Sequence, residues 1–244
     1  MEIGSPWPAD VQLIGKDILR VHATIWPIML MHLGIEFPKM LYIHGHILSG
    51  GRKMSKTIEN VISIDEMIGK FGTDGTRYLL MSAGNFGDDV DMTMERMIEK
   101  YNADLANGLG NHLSRVIKLL KGISNFQPAR IASQNEAGRF PISNKISKSK
   151  IQKIIENLEF NQAIDEIWRF IRENDKFIEA EKPWELAKKN QNKFIKVMQE
   201  LVADLYLVSD FLIPFVPETS EKIKKALETK EAGILFPRIG KSGE

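Results

Sequence analysis

Apolar positions along the chain fall into two regimes. In the first fifty residues they gather in short runs of the kind that fill buried strands, Val11-Gln12-Leu13-Ile14 and then Leu41-Tyr42-Ile43-His44-Gly45-His46-Ile47-Leu48. Between the runs, Ile18, Val21, Ile25, Ile28 and His32 recur at spacings of three and four. That predicts a helix entered after the turn at Gly15, with Asp17 as its N-cap. Pro27 should kink or split this helix, because its ring clashes with the carbonyl of Ala23. A strand–helix–strand unit of this length fits a parallel crossover. Two strands are too few for a stable sheet, so either partners outside this chain or poor order is expected.

The period then changes. Asp65-Glu66-Met67-Ile68 and Asp74-Gly75-Thr76-Arg77-Tyr78-Leu79-Leu80 predict two short helices, and Gly87-Asp88-Asp89-Val90-Asp91 an acidic loop. From Thr93 onward the pattern is helical. One stripe runs Leu105, Leu109, Leu113, Val116, Leu120, Ile123. Another runs Ile151, Ile154, Ile155, Leu158, Ala163, Ile164, Ile167, Ile171, Ile178, and stops at Pro183. A third runs Phe194, Val197, Leu201, Leu205, Val208, Leu212, ending before Pro214, and a last amphipathic helix covers about 218–227. Helices joined by short turns predict an antiparallel α-helical bundle, with the break from the α/β part falling between Asp91 and Tyr101. Residues 124–150 are polar and aperiodic, with Pro128, Gly138 and Pro141, and read as a long loop. The expected class is mainly α, with an α/β segment at the start.

Composition narrows the partners. A net charge of +1 excludes a globally basic nucleic-acid binder, so any RNA contact must be local. Lys145, Lys148, Lys150 and Lys153 make the nearest approach to a patch and read as a solvated linker and helix start. With zero cysteines and five scattered histidines, no disulfide, thiolate metal site or structural zinc is expected. No secretory signal opens the chain and no apolar run nears the roughly 18 residues of a membrane span, so a cytoplasmic location off the membrane is expected. Asp88, Asp89 and Asp91 on one short loop are weak evidence for a cation site.

The sharpest chemical signal is Lys53-Met54-Ser55-Lys56-Thr57, placed just after Gly50-Gly51 at the end of a strand. Two ammonium groups three residues apart on a glycine-hinged loop can close on a polyphosphate and neutralise charge that moves during phosphoryl or adenylyl transfer. The pentapeptide resembles the Lys-Met-Ser-Lys-Ser signature of the class I aminoacyl-tRNA synthetases. Trp7-Pro8-Ala9-Asp10-Val11, Ile14-Gly15-Lys16-Asp17-Ile18, His22-Ala23 and Trp26-Pro27 are similar, in the same order, to the methionyl-tRNA synthetase family. So are Tyr101-Asn102-Ala103-Asp104-Leu105-Ala106-Asn107, Asn111-His112-Leu113-Ser114-Arg115 and the closing Ile234-Leu235-Phe236-Pro237-Arg238-Ile239.

The resemblance covers nearly the whole chain and corresponds to the C-terminal half of that family. It implies the end of a Rossmann-type catalytic domain over residues 1–62, a stem-contact segment over 63–100, and an anticodon-binding helical bundle over 101–244. Lys53 and Lys56 would stabilise the pyrophosphate leaving group, with Ser55 beside them. Gly15 and Asp17 would contact the ATP ribose, and His44 and Ile47 the adenine. Ile18, Val21 and His22 would wall the methionine pocket. Asn111 and Arg115 would read base edges while Trp184 stacks an unpaired base. The implied partners are ATP with Mg²⁺, methionine, tRNA(Met) and a missing N-terminal catalytic half. The His-Ile-Gly-His phosphate-binding motif and the zinc-bearing insertion of the family do not occur in these 244 residues. The chain by itself is therefore expected to be inactive in methionine activation.

Two departures from the family pattern matter. Glu59 stands where the family usually has glycine, putting a carboxylate near phosphate and removing a hinge, whereas Asn60 matches. Val21 replaces a frequent phenylalanine, and losing one aromatic contact should weaken methionine binding by roughly 1 kcal/mol. Read without the resemblance, His22 fits a core histidine, Trp168 core packing, and Asn111 with Arg115 a solvated helix face about 200° from Leu109. Gly108 and Gly110 leave bare backbone there for a close neighbour. A non-catalytic tRNA-binding module and a leucyl-, valyl- or isoleucyl-type class I synthetase are the alternatives.

Overall fold

The computed structural model describes residues 7–55, 60–85, 87–123, 126 and 146–240. Mainly helical, it divides into two compact units. The first comprises residues up to Val61 together with Ala83–Met92; the second comprises Ile62–Ser82 together with everything from Thr93. The stretch 63–100 is thus shared between both units.

In the first unit, β1 (Gln12–Gly15) pairs in parallel with β2 (Leu41–His44), Gln12 opposite Leu41 and Gly15 opposite His44. The crossover between them is one wound segment in three gauges: a 3₁₀ turn Lys16–Ile18, a π-helical turn Val21–Ile25, and α1 (Trp26–Leu33). Pro27 explains the splitting. It sits in the first turn of α1, where a missing amide hydrogen costs nothing, and the wide π turn before it spares the carbonyl its ring would strike. Asp17 is not the N-cap. Gly15 holds that position with no side-chain cap, and Asp17 lies inside the 3₁₀ turn.

The apolar run at 41–48 is not one strand. It breaks at Gly45-His46, and β3 (Ile47–Ser49) belongs to a second sheet, antiparallel to β4 (Arg52–Lys53) and parallel to β5 (Val90–Asp91). Gly45 is obligatory at the break: a β-carbon there would lie 2.1 Å from the carbonyl oxygen of Asp88. Gly50 and Gly51, with φ of 62° and 73°, make the tight two-residue hairpin whose twist suits flanking strands. Lys53 therefore stands on a strand rather than on a loose loop. The acidic 87–91 segment likewise ends in β5 instead of remaining loop.

The second unit is helical. The two helices expected at 65–80 are joined into α2 (Ile64–Met81) across a break at Gly72, whose φ of 71° and ψ of 172° are not helical. Ser63 caps its start, accepting from the amide of Glu66. α2 is tied in by two polar clamps. Asp74 accepts from the amide of Thr219 at 2.6 Å, and Arg77 donates to the carbonyls of Pro214 and Phe215 at 2.7 and 2.8 Å. Each satisfies backbone groups that a helix end leaves open.

α3 (Met94–Lys100) continues through a π-helical stretch, Tyr101–Gly110, into α4 (Asn111–Leu120). All of the stripe from Leu105 to Ile123 is buried. The single helix expected over 151–178 is two, α5 (Lys148–Glu156) and α6 (Phe160–Glu181), because Leu158 takes a left-handed φ of 62°. Then follow α7 (Pro183–Lys189), α8 (Gln191–Leu212) and α9 (Pro217–Thr229). α8 is the hub, packed against α4, α6, α7 and α9. Most of the predicted 124–150 loop lies outside the described residues, although Lys148 and Lys150 are helical.

Candidate functional site

The first unit gathers four candidate residues, with His46, near the C-terminal end of its parallel pair. Gly15 and His44 are register partners, and a β-carbon on Gly15 would sit 3.6 Å from the His44 imidazole, so the glycine keeps this ring's face clear. Asp17 follows one turn on. Its Oδ2 accepts from Lys53 Nζ at 2.5 Å, and its Oδ1 faces His46 Nε2 at 2.8 Å. Lys53 holds the Asp17 carboxyl below the usual range, chiefly through that hydrogen bond.

Next to it, Asp89 accepts from Lys16 Nζ at 2.5 and 2.7 Å and from the His46 amide at 2.8 Å. The Lys16 hydrogen bond, followed by that backbone bond, depresses the Asp89 carboxyl too. Asp91 accepts from the Gly51 amide at 3.1 Å, pinning the hairpin. The acidic residues are thus spent on lysines and backbone amides. Among the described residues, no three carboxylates or histidines converge as a metal site.

Lys56, Thr57 and Glu59 lie outside the described residues. Asn60 lies inside, and its side chain accepts from the Ser55 amide at 2.8 Å while donating to the Lys53 carbonyl at 3.3 Å. Ile47 is exposed on β3 opposite Val90. Ile18 and Val21 are also exposed, at 45% each, and His22 is half-buried with Nδ1 3.0 Å from the Ile18 carbonyl oxygen. His22 is thus only half-buried here, not the fully buried histidine that a core reading expects. Ile18 and His22 stand one turn apart on the same wound segment.

In the second unit, Asn111 is exposed, as its place opposite the Leu109 stripe requires. Arg115 is not simply solvated. Its guanidinium donates to Glu179 and lies 3.5 Å from Asp175, both on α6. His112, fully buried, sets its Nδ1 2.8 Å from the same Asp175 oxygen. Trp184 opens α7 behind Pro183, which takes the first helical position, and it is 43% exposed. Glu179, the partner of Arg115, precedes it by five residues. Trp168 is core, its indole donating to the Asp104 carbonyl at 3.2 Å.

Bare backbone at Gly110 does admit a close neighbour, and it is the chain's own closing segment. A β-carbon there would lie 4.0 Å from Leu235 and Phe236. Phe236 is buried edge-on against Tyr101, Asn102 exchanges two hydrogen bonds with Ile239, and Arg238 donates to Asn107 at 2.9 Å. A cleft of about 390 Å³ remains there, reaching Asn107, Asn111 and Ser114. Sequence reasoning missed His46, Asp175 and Glu179, and read Asp89 as a weak cation ligand rather than as the partner of Lys16. His46 had a signal, lying two residues beyond His44 across a glycine.

The model of the class I tRNA synthetases (M) matches residues 7–117. The methionine–tRNA ligase of Clostridium tetani is 40% identical over 230 residues, covering 91% of this chain and 35% of that protein. That of Caldanaerobacter subterraneus is 34% identical, covering 96% of this chain and 40% of that protein. The Mycobacterium tuberculosis methionyl-tRNA synthetase in complex with methionyl-adenylate superposes with a TM-score of 0.76 at 25% identity, over 97% of this chain and 50% of that one. The fold is that of the class I tRNA synthetases. Within that class, the chain belongs to the methionyl-tRNA synthetase family. It spans about a third of the length of the curated relatives it matches.

Proposed function

We propose that the chain forms part of a methionine–tRNA ligase, which activates methionine with ATP and transfers it to tRNA(Met). In this reading residues 1–62 close a Rossmann-type catalytic domain, 63–100 form the stem contact, and 101–244 form an antiparallel anticodon-binding bundle. Gly15 and Asp17 hold the ribose, His44 and Ile47 flank the adenine, and Ile18, Val21 and His22 face methionine. Lys53, Ser55 and Lys56 meet the phosphates. Relatives named as methionine–tRNA ligases, and a neighbour solved with methionyl-adenylate, support this substrate assignment over a leucyl, valyl or isoleucyl one. The described residues offer no protein-made Mg²⁺ site, and no step here uses one.

One observation carries the RNA half: among the described aromatic side chains of the second unit, only Trp184 is exposed. Burying an indole is worth several times a methyl group, so leaving one in water suits a platform for an unstacked base. Asn111 supplies an amide for a base edge. Trp184→Ala should cost roughly 1–3 kcal/mol in tRNA(Met) affinity by filter binding, with an unchanged circular dichroism spectrum. Unaltered affinity would reduce Trp184 to packing. A tRNA with a changed anticodon should bind the wild type about as weakly as the variant binds tRNA(Met).

For the catalytic half, the exposed apolar faces of the first unit support a missing N-terminal partner that completes the sheet and supplies the rest of the ATP site. The chain alone should then give no ATP–pyrophosphate exchange, and robust exchange would contradict it. No described helix is long and apolar enough to cross a membrane, and a cytoplasmic place of action accompanies the assignment.

A further inference from the structure

We propose that Asp17, His46 and Lys53 form a latch that keeps the Lys53 ammonium on Asp17 while the ribose position is empty and frees it when ribose hydroxyls arrive. The idea rests on the ribose assignment of Asp17 made above. Both carboxylate oxygens of Asp17 are taken, Oδ1 by His46 and Oδ2 by Lys53. A sugar hydroxyl donating to this carboxylate must displace one of them or share its oxygen. The two are not equally held.

The His46 side chain is 20% exposed, and its backbone amide is fixed to Asp89, itself clamped by Lys16. Gly45, jammed against the Asp88 backbone, fixes where His46 emerges. Lys53 is 57% exposed, on a two-residue strand at the hairpin end, with a four-carbon stem free to swing. Lys53 is therefore the partner that yields. Its displaced ammonium, no longer neutralised, is available to the phosphates of the same nucleotide. Ribose occupancy and phosphate affinity become coupled, and coupling between two ligands is reciprocal. The other charges facing Asp17 are Lys16, which stays on Asp89, and His46.

The test measures how fast Lys53 of the full chain is acetylated by limiting acetic anhydride, read by peptide mass spectrometry against exposed Lys118. Three states are compared: free, with saturating adenosine, and with 2′,3′-dideoxyadenosine. Equilibrium dialysis records the binding of each nucleoside. Expected is a several-fold faster reaction with adenosine, none of that gain with the dideoxy compound, and a fast rate without nucleoside in Asp17→Asn. Adenosine that binds without quickening Lys53 overturns the latch. So does a rate in Asp17→Asn equal to that of the wild type. Adenosine that fails to bind at all overturns the latch as a property of this chain, while the ligase assignment, which draws the rest of the ATP site from the partner half, is untouched. The adenosine arm uses the wild-type chain, so a variant that misfolds does not blunt the result.

Discussion

The two units of this molecule use similar side chains to opposite ends. Among the described residues, 41 of the 44 buried apolar side chains belong to the helical unit, and only Ile14, Leu30 and Met92 to the first. Of the 20 large apolar side chains left exposed, 15 are in the first unit, including Met31 at 67% and Leu33 at 68%. Covering each such half-exposed side chain would stabilise by about 1 kcal/mol, hence on the order of 10 kcal/mol for that face. Parallel sheets bury both faces, and a two-stranded one with open edges cannot. The helical unit closes its own core; the first leaves most of its large apolar side chains open.

Hydrogen exchange should break or sharpen that contrast most strongly. Amides of β1 and β2 should exchange at least about a thousandfold faster than those in the centre of α8, because exchange follows local unfolding free energy. Equal protection would mean that the first unit is self-sufficient. Core truncation comes next. Leu205→Ala, at a fully buried site, should cost about 2–5 kcal/mol in urea unfolding. Met31→Ala should change stability by less than about 0.5 kcal/mol.

A smaller effect should appear in acid. Asp17 and Asp89 have depressed folded-state pKa values, so their contribution is present above the ordinary carboxylate range and is lost as pH falls through the folded values. Below about pH 3.5, where even an unperturbed carboxyl is mostly protonated, the β3–β5 corner should loosen before the helical unit does. Amide resonances of His46 and Gly51 would report it. A similarly small change is expected from Glu179→Gln, an exposed partner of Arg115, at under about 1 kcal/mol in stability.

Legibility in the sequence followed range. The stripe from Leu105 to Ile123, Pro183 at the head of α7 and the Gly50-Gly51 turn are local decisions, made by periodicity, by a ring that fixes φ and by residues that tolerate positive φ. The break at Leu158 was not legible, because nothing in an isoleucine-rich stripe announces a left-handed leucine. Nor was the division of 41–48 between two sheets, since it depends on Asp88 arriving from 43 residues away to meet Gly45. The candidate residues could be named from the pentapeptide and its flanks, but their partners could not. Asp175 and Glu179 reach Arg115 across 60 and 64 residues. His46 and Asp17 meet only because β3 and the 3₁₀ turn converge.

By itself the sequence determined the helical stripes, the cationic pentapeptide and the kinship with the methionyl enzymes, because each is carried by neighbours along the chain. Only tertiary structure decided which of two tryptophans stays in water, which carboxylate holds which cation, and which unit is left with an uncovered face. Periodicity marks a side of a helix or strand as apolar; whether anything lies against that side is a matter of packing between distant segments.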